Sequence, residues 1–213
     1  MVEDFFDKRH GYQNNDKITM ADIAAKFEHL YEVISSSRFL KMEALGGEIP
    51  FFISAYDPKQ ELIIKEAISH LINKLGTSGV PVLEINLYEF VCEILEEKGG
   101  MERMFRLEKA KSKEKFLRAL QSSLNIHEVL MPKIKAKIES TDAKVYFLTG
   151  IGLVFPFIRS HNILNNLQNI AKEAPTVAFF PGDYDGHSLN LFGLLKDDNY
   201  YRAFNIEKIE PKS

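Results

Sequence analysis

Polar residues that could bind an anion or a metal follow two apolar segments in the C-terminal third of the chain. Lys144–Thr149 runs into Gly150-Ile-Gly152, and Thr176–Phe180 runs into the polar turn Gly182–His187. Two buried strands that each end in a glycine-rich polar turn are how an α/β protein builds a crevice at the carboxyl edge of its sheet. We therefore expect the working surface at this edge.

The candidate residues of this binding crevice are Asp57, Gly150, Gly152, Arg159, His161, Asp183 and Asp185. An arginine near a helix N-terminus opposes the helix dipole, which favours an acidic partner or an anionic ligand for Arg159. Asp183, Asp185 and His187 are side chains that bind metals, and alternating positions in a turn can converge. Gly-Asp and Asp-Gly are also common turn chemistry. The turn is the favoured interpretation, so no metal ligand and no catalytic residue is assigned.

The phosphate-binding motifs of nucleotide enzymes are incomplete in this chain. Ser54–Gln60 stands where a P-loop would follow the first strand, and it lacks the glycines and the Lys-Ser/Thr pair. Gly150-Ile-Gly152 matches only the beginning of a dinucleotide fingerprint, because Phe155 occupies the third glycine position. We therefore expect no nucleotide cofactor and no P-loop ATPase activity.

Apolar strand patterns alternate with helical patterns along the chain. Strands are predicted at 50–56, 80–87, 144–149 and 176–180, with a last edge strand in the tail at 200–206. Helices are predicted at 22–38, 58–75, 88–97, 101–138 (broken or kinked at Pro132) and 156–171. This order predicts an α/β fold, a three-layer α/β/α sandwich with a mainly parallel sheet and a P-loop-like topology without a Walker A motif. Residues 1–213 are interpreted as a single domain with a loose N-terminal arm at 1–17.

The amino-acid composition limits the classes of protein to which this chain can belong. The chain has 213 residues, 45% of them hydrophobic, a net charge of −3 and one cysteine, Cys92. One thiol excludes an internal disulfide and a multi-cysteine zinc site and suits a reducing compartment. The N-terminus has no secretory pattern, and no apolar run is long enough to span a bilayer. These features predict a cytoplasmic protein without a membrane segment.

Local charge departs from this balance between Lys98 and Arg118, where eight Lys and Arg stand against three Glu. Such a segment could contact nucleic acid, but the pattern predicts no interleaved exposed aromatics, so nucleic acid is possible and not favoured. Contact surfaces favour Arg and aromatic residues. Arg103, Arg106 and Tyr201 of the tail are therefore the predicted protein-interaction surface.

Four C-terminal blocks resemble the BrxB family of BREX bacteriophage-defence systems. They are Leu148–His161, Asn165-Asn166-Leu167, Phe180–Gly186 and Leu191-Phe-Gly193. The resemblance implies a cytoplasmic defence component that works with other BREX proteins, notably a PglZ-type protein. No established catalytic residues come with the family.

Two functions remain open. The first is a non-enzymatic binding or scaffold module for a partner such as the PglZ-type protein. The alternative is a nucleotide- or nucleic-acid-binding protein, including a metal-dependent phosphodiesterase, which would use Arg159, His161, Asp183 and Asp185 around a bound phosphate or metal. The absence of complete catalytic motifs favours the first.

Overall fold

The computed structural model describes residues 19–42, 50–197 and 202–211. The predicted arm at 1–17 and the tail residue Tyr201 lie outside the described residues. Within them, the chain alternates strands and helices as the sequence predicts.

A mainly parallel sheet forms the centre of the protein. Four of its parallel strands are β1 (Phe51–Tyr56), β2 (Val82–Asn86), β3 (Val145–Thr149) and β4 (Thr176–Tyr184). Two short strands, β5 (Leu189–Leu191) and β6 (Leu195–Asp197), follow β4. The tail adds a further parallel strand, β7 (Phe204–Asn205), beside β1. The order is β2-β3-β4-β1-β7, and β5 and β6 extend β4 as an antiparallel hairpin. The prediction that the first four strands are neighbours in one parallel sheet is confirmed.

Helices cover both faces of this sheet, as the predicted sandwich requires. They are α1 (Met20–Ser35), α2 (Ser37–Leu40), α3 (Glu61–Thr77), α4 (Leu87–Glu97), α5 (Met101–Ala110), α6 (Lys113–Leu124), α7 (Met131–Glu139) and α8 (Ser160–Ile170). A capping box between Thr19 and Asp22 begins α1, because each side chain accepts a backbone N–H of the other residue.

The alternation of side chains along the strands divides the core into two apolar clusters. In β1, Phe51 and Ile53 join the cluster beneath α4 to α8, whereas Phe52 and Tyr56 join the one beneath α1 and α3. The side chains point to alternate faces because the pleat has a period of two residues. Both faces of β1 are therefore buried, as in a central strand of an α/β sheet.

The segment predicted as one helix from 101 to 138 is divided by two polar caps. The Ser112 hydroxyl accepts the Lys115 N–H and begins α6. Asn125 ends α6 and caps a π-helical turn, Ile126–Leu130, through the His127 and Glu128 N–H groups. Pro132 lies in the first turn of α7, where its missing N–H costs no hydrogen bond. The chain thus changes from the π-helical turn to α7 at Met131, next to the break or kink predicted at Pro132.

Two other boundaries in the C-terminal third differ from prediction. Helix α8 begins at Ser160 and not at Pro156, because a 3-10 turn at Gly152–Val154 and an extended Phe155 precede it. Strand β4 continues through Pro181 and Gly182, which the sequence suggests are a turn. The continuation is stable because β5 pairs with β4 from Gly182 to Tyr184, beyond the point where β1 ends.

The helices that follow the parallel strands pack on opposite faces of the sheet. Helix α3 follows β1 and packs on the α1 face, whereas α4 and α8 follow β2 and β3 and pack on the other face. A crevice forms at the carboxyl edge of a parallel sheet where consecutive connections diverge in this way. The fold thus places a candidate site beside the ends of β1 and β4.

Candidate functional site

A small cleft opens between the sheet's carboxyl edge and α3. Its lining residues are Tyr56, Glu61, Ile64, Lys65, Ile68, Glu84, Asn86, Thr149, Gly150, Leu153 and Phe179. The polar groups among them come from the last residues of three strands and from the first turns of α3. They share one side of the sheet because neighbouring parallel strands are in register, with Asn86 opposite Thr149.

Tyr56 and Glu61 form one polar pair in this cleft. The Tyr56 hydroxyl donates to Oε2 of Glu61 over 2.6 Å. Burial raises the pKa of the Tyr56 hydroxyl well above its ordinary value of 10, and the hydrogen bond and the negative charge of Glu61 raise it further. Tyr56 is therefore a neutral hydrogen-bond donor at every physiological pH.

Glu84 and Thr149 form the second pair. The Thr149 hydroxyl donates to Oε1 of Glu84 over 2.7 Å, between β3 and β2. Beside them, Oδ1 of Asn86 accepts the N–H groups of Tyr88 and Glu89 and caps α4. Each of these polar side chains already has a partner within the protein.

The size of the cleft decides what it can hold. Its volume is about 30 Å³, whereas pockets that bind drug-sized ligands measure about 300–1,000 Å³. A space of this size accommodates about one water molecule. The cleft as it stands does not hold a nucleotide.

The predicted glycines Gly150 and Gly152 make the turn after β3, and each permits a close approach. Gly150 has a φ of +72°, and a Cβ there would lie 2.7 Å from Oδ1 of Asn86. A Cβ on Gly152 would lie 2.9 Å from both the Phe192 ring and Pro181. Gly150 therefore borders the cleft, and Gly152 is covered by the turn between β5 and β6.

Arg159 and His161 lie at the start of α8. Arg159 is exposed and occupies the N-cap position, and its guanidinium lies 5.6 Å from the centre of the Phe155 ring. Phe155 in turn packs edge to face against Phe192 at 6.2 Å. His161 is half-buried one residue into the helix. Arg159 is thus connected to the hairpin through two aromatic rings.

The predicted acidic residues are all exposed; Asp57 and Asp185 occupy turns, whereas Asp183 lies in strand β4. Asp57 caps the 3-10 turn Pro58–Gln60 by accepting the Lys59 N–H at 2.9 Å, and Asp183 pairs with Asn190 in the hairpin. Asp185 accepts the N–H groups of His187 and Ser188 and the Ser188 hydroxyl.

These hydrogen bonds change the acidity of Asp185. Those from the Ser188 and His187 backbone and from the Ser188 hydroxyl, with a smaller effect of the His187 charge, lower the pKa of the carboxyl group to about 2. In residues 19–42, 50–197 and 202–211, no group of three or more His, Cys, Asp and Glu side chains is placed to hold a metal ion.

Two of the three residues predicted as an interaction surface lie on α5, and both are exposed. Arg103 folds back to donate to the Lys98 carbonyl over 2.6 Å, so it also closes the α4–α5 turn. Arg106 lies on the solvent side beside Phe105, whose side chain is 54% exposed. The expectation that this segment lacks exposed aromatics was wrong.

The sequence missed Tyr56, Glu61, Glu84 and Thr149 as members of the site. Glu84 alone carried a signal, because it interrupts the apolar segment Val82–Ile85 at a position that a covered strand normally fills with an apolar side chain. The other three occupy positions that are equally common at strand ends and helix starts. Their proximity depends on the strand order, which local patterns do not reveal.

Comparison with known proteins places the chain in a family. The family model "BREX protein BrxB" matches residues 83–206, more than half of the chain. A protein from Bacillus cereus (strain H3081.97) called "BREX protein BrxB" is 40% identical over 88% of this chain and 98% of its own length. Another of that name, from Escherichia coli O9:H4 (strain HS), is 30% identical over 81% of this chain and 86% of its own length.

No solved structure is significantly similar to this chain. None of the described helices combines the length and the apolar content that crossing a membrane requires. The family match and the extent of the two relatives are sufficient to assign the chain: it belongs to the BrxB family and is therefore a BREX component, which implies a part in phage defence.

Proposed function

We propose that this BrxB-family protein is a non-enzymatic, cytoplasmic binding module, which holds another BREX protein, such as the PglZ-type protein, in a defence complex. The proposal rests on the surface around the Gly150–Gly152 turn. There the protein exposes large apolar side chains on three separate elements, and large exposed apolar patches commonly mark contact sites.

The exposed members of this carboxyl-edge surface are Tyr88, Leu153, Leu194 and Leu195, and the half-buried Phe192 completes it. Leu153 follows Gly152 directly and is 48% exposed, and Leu194, at the turn between β5 and β6, is 82% exposed. Phe192 contacts the position of Gly152, while the Tyr88 N–H lies 3.2 Å from a Cβ built on Gly150. One turn thus connects all three elements of the surface.

The polar groups of the neighbouring cleft also favour binding over catalysis. Tyr56 is paired with Glu61, Thr149 with Glu84, and Asp185 with its own turn. A general acid or base must reach a proton of the substrate, and a nucleophile needs an adjacent base. Thr149 beside Glu84 meets the second requirement in part, but the cleft next to them measures only about 30 Å³ and leaves no room for a substrate.

Co-expression with the PglZ-type protein of the same BREX system tests the proposal. We expect one complex on size-exclusion chromatography and a loss of affinity of roughly tenfold or more in Leu194→Glu, since a central apolar contact contributes more than about 1.4 kcal/mol. Leu62→Glu is the matched control, because this leucine is 77% exposed and lies opposite the buried stripe of α3. Failure to form a complex, or equal weakening by the two changes, would contradict the proposal.

A second measurement addresses catalysis. We expect the purified protein to hydrolyse neither ATP nor nucleic acid in the presence of Mg²⁺. Turnover that disappears in Asp183→Asn or Asp185→Asn would instead support the alternative, a metal-dependent enzyme acting on phosphodiesters.

A further inference from the structure

Helices α5 and α6 carry an unusual number of unpaired basic side chains. In the parts of the chain that the structure describes, the following have no ion pair, hydrogen bond or ring contact: Arg106, Lys109, Lys111, Lys113, Lys115 and Arg118. All of them are exposed. Basic residues nearby differ, since Lys133 is paired with Glu93 and Glu97, and Lys98 donates to the Ser123 carbonyl.

The two helices contribute little to the core, so stability alone does not account for their sequence. Met104 is the one fully buried residue of α5, and Leu124 is that of α6. The remaining apolar side chains are half-buried or exposed, with Phe105 the most exposed of the aromatics there. Phe105 lies one helical turn before Lys109, so the two side chains are neighbours on the surface of α5.

Unpaired like charges on adjacent turns repel one another, and a bound anion removes that cost. The composition indicates which anion. Four of the six unpaired cations are lysines, and lysine is depleted in protein–protein interfaces. Lysine and arginine contact phosphates alike, and an exposed aromatic ring offers a platform on which a base can stack.

We propose that α5 and α6 bind the phosphate backbone of a single-stranded nucleic acid, with Phe105 stacked on a base. This basic surface, defined by the six cations and Phe105, shares no residue with the carboxyl-edge surface. The inference therefore does not depend on the proposed partner.

Fluorescence anisotropy with a labelled oligothymidylate tests the basic surface. We expect the logarithm of the affinity to fall with the logarithm of the salt concentration with a slope of about −4, if all six cations meet phosphates of a single strand. The double variant Lys109→Ala/Lys113→Ala should reduce that slope by about 1.4. Lys137→Ala/Lys172→Ala, which removes two exposed lysines elsewhere, should leave the slope unchanged.

Phe105→Leu separates stacking from charge. It retains an apolar side chain but removes the ring, so we expect the affinity for the oligothymidylate to fall about 5- to 100-fold with no change of slope. A duplex of equal length should bind more weakly than the single strand, because its bases are already stacked. Leu194→Glu should bind the oligonucleotide as the unchanged protein does.

Three outcomes would overturn the proposal. One is no binding to oligonucleotide at about 50 mM salt, where phosphate contacts are strong. Another is equal affinity in the Lys109→Ala/Lys113→Ala variant and its control. The third is a polyglutamate peptide of matched charge that binds as tightly as the oligonucleotide, which would assign the surface to an acidic protein.

Discussion

The hydroxyl of Tyr56 donates to Oε2 of Glu61 over 2.6 Å and so connects the last residue of β1 to the first turn of α3. The tyrosine ring is buried in the cluster beneath α1 and α3. This bond fixes the direction in which the chain leaves the sheet at its carboxyl edge, and it closes one side of the cleft.

Removing the Tyr56 hydroxyl should destabilise the protein. In Tyr56→Phe the carboxylate of Glu61 loses its donor, so the free energy of unfolding should fall by about 1.5–3 kcal/mol, the range for a hydrogen bond to a charged group. Urea denaturation at pH 7 measures it. Tyr31→Phe is the matched control, because it removes an exposed bond to Ser78 and should cost less than about 1 kcal/mol. Equal losses of unfolding free energy in the two variants would contradict the larger contribution assigned to the Tyr56–Glu61 hydrogen bond.

The same tyrosine should make stability depend on alkaline pH. Its pKa in the folded protein is raised above the unfolded value of about 10, so folding retains a proton that the unfolded chain releases. The stabilisation is fully present below pH 10 and is lost as the pH rises above it. We expect unfolding free energies between pH 9 and 11 to fall more steeply in the unchanged protein than in Tyr56→Phe. If the two proteins lose unfolding free energy equally over this range, the pKa of Tyr56 is not raised.

Asp185 should contribute the opposite dependence in acid. Its pKa in the folded protein is about 2, below the unfolded value of about 4. Its stabilisation is therefore present above pH 4 and is lost as the pH falls through 2. Thermal unfolding between pH 5 and 2 should show a smaller loss of Tm in Asp185→Asn than in the unchanged protein. A carboxyl titration of this residue near pH 4 would contradict the prediction.

Glycine substitutions should rank by the space around each Cβ. Gly182→Ala places a Cβ 2.1 Å from the Asn190 carbonyl oxygen at a φ of +144°, so overpacking and backbone strain of about 1–3 kcal/mol each should lower stability strongly. Gly152→Ala meets the Phe192 ring and Pro181, both at 2.9 Å, but its backbone is not in the left-handed region, so it should cost less. Gly76→Ala has open space in α3 and should stabilise by up to about 1 kcal/mol. A reversed order in urea denaturation would contradict this reasoning.

Glu207 should hold the tail against the sheet. Its Oε1 accepts from Ser54, which is fully buried, and forms a 2.7 Å ion pair with Lys26. Glu207→Ala leaves both groups without this acceptor and should lower the free energy of unfolding by about 1–3 kcal/mol. Glu28→Ala removes an exposed pair with Lys74 and should cost less than about 1 kcal/mol. If Glu207→Ala lowers the free energy of unfolding no more than Glu28→Ala does, Glu207 does not hold the tail against the sheet.

The alternation of apolar strands and amphipathic helices was enough to predict the sheet, since β1, β3 and most of β4 are buried and β2 also reads as an apolar segment. The extension of β4 was missed because Pro181 and Gly182 are normally turn residues. Whether they continue a strand depends on β5, seven residues further on. The turn preference of Pro181 and Gly182 competes there with the pairing of β4 and β5, and the strand pairing determines the structure.

The sequence predicts a crevice at the carboxyl edge of the sheet, and of its predicted residues Gly150 lines the cleft there. Parallel strands bring their carboxyl ends together whatever their order, so the edge follows from pattern alone. The Glu84–Thr149 contact requires β2 beside β3, and the Tyr56–Glu61 contact requires a particular exit from β1. The exposure of Phe105 likewise depends on how α5 packs against the core, where Met104 is the residue of this helix that is buried.

The pairing of β1 with β4 has a consequence for the order in which this protein can be assembled. Phe51 lies opposite Thr176, so the middle of the sheet joins segments that are far apart in the sequence. During synthesis β1 waits for this partner until β4 has left the ribosome, with the edge that pairs with β4 unoccupied. Contacts of such long sequence separation slow folding, and uncovered strands favour aggregation. Translation that stops before β4 should therefore yield insoluble fragments and not a smaller folded core.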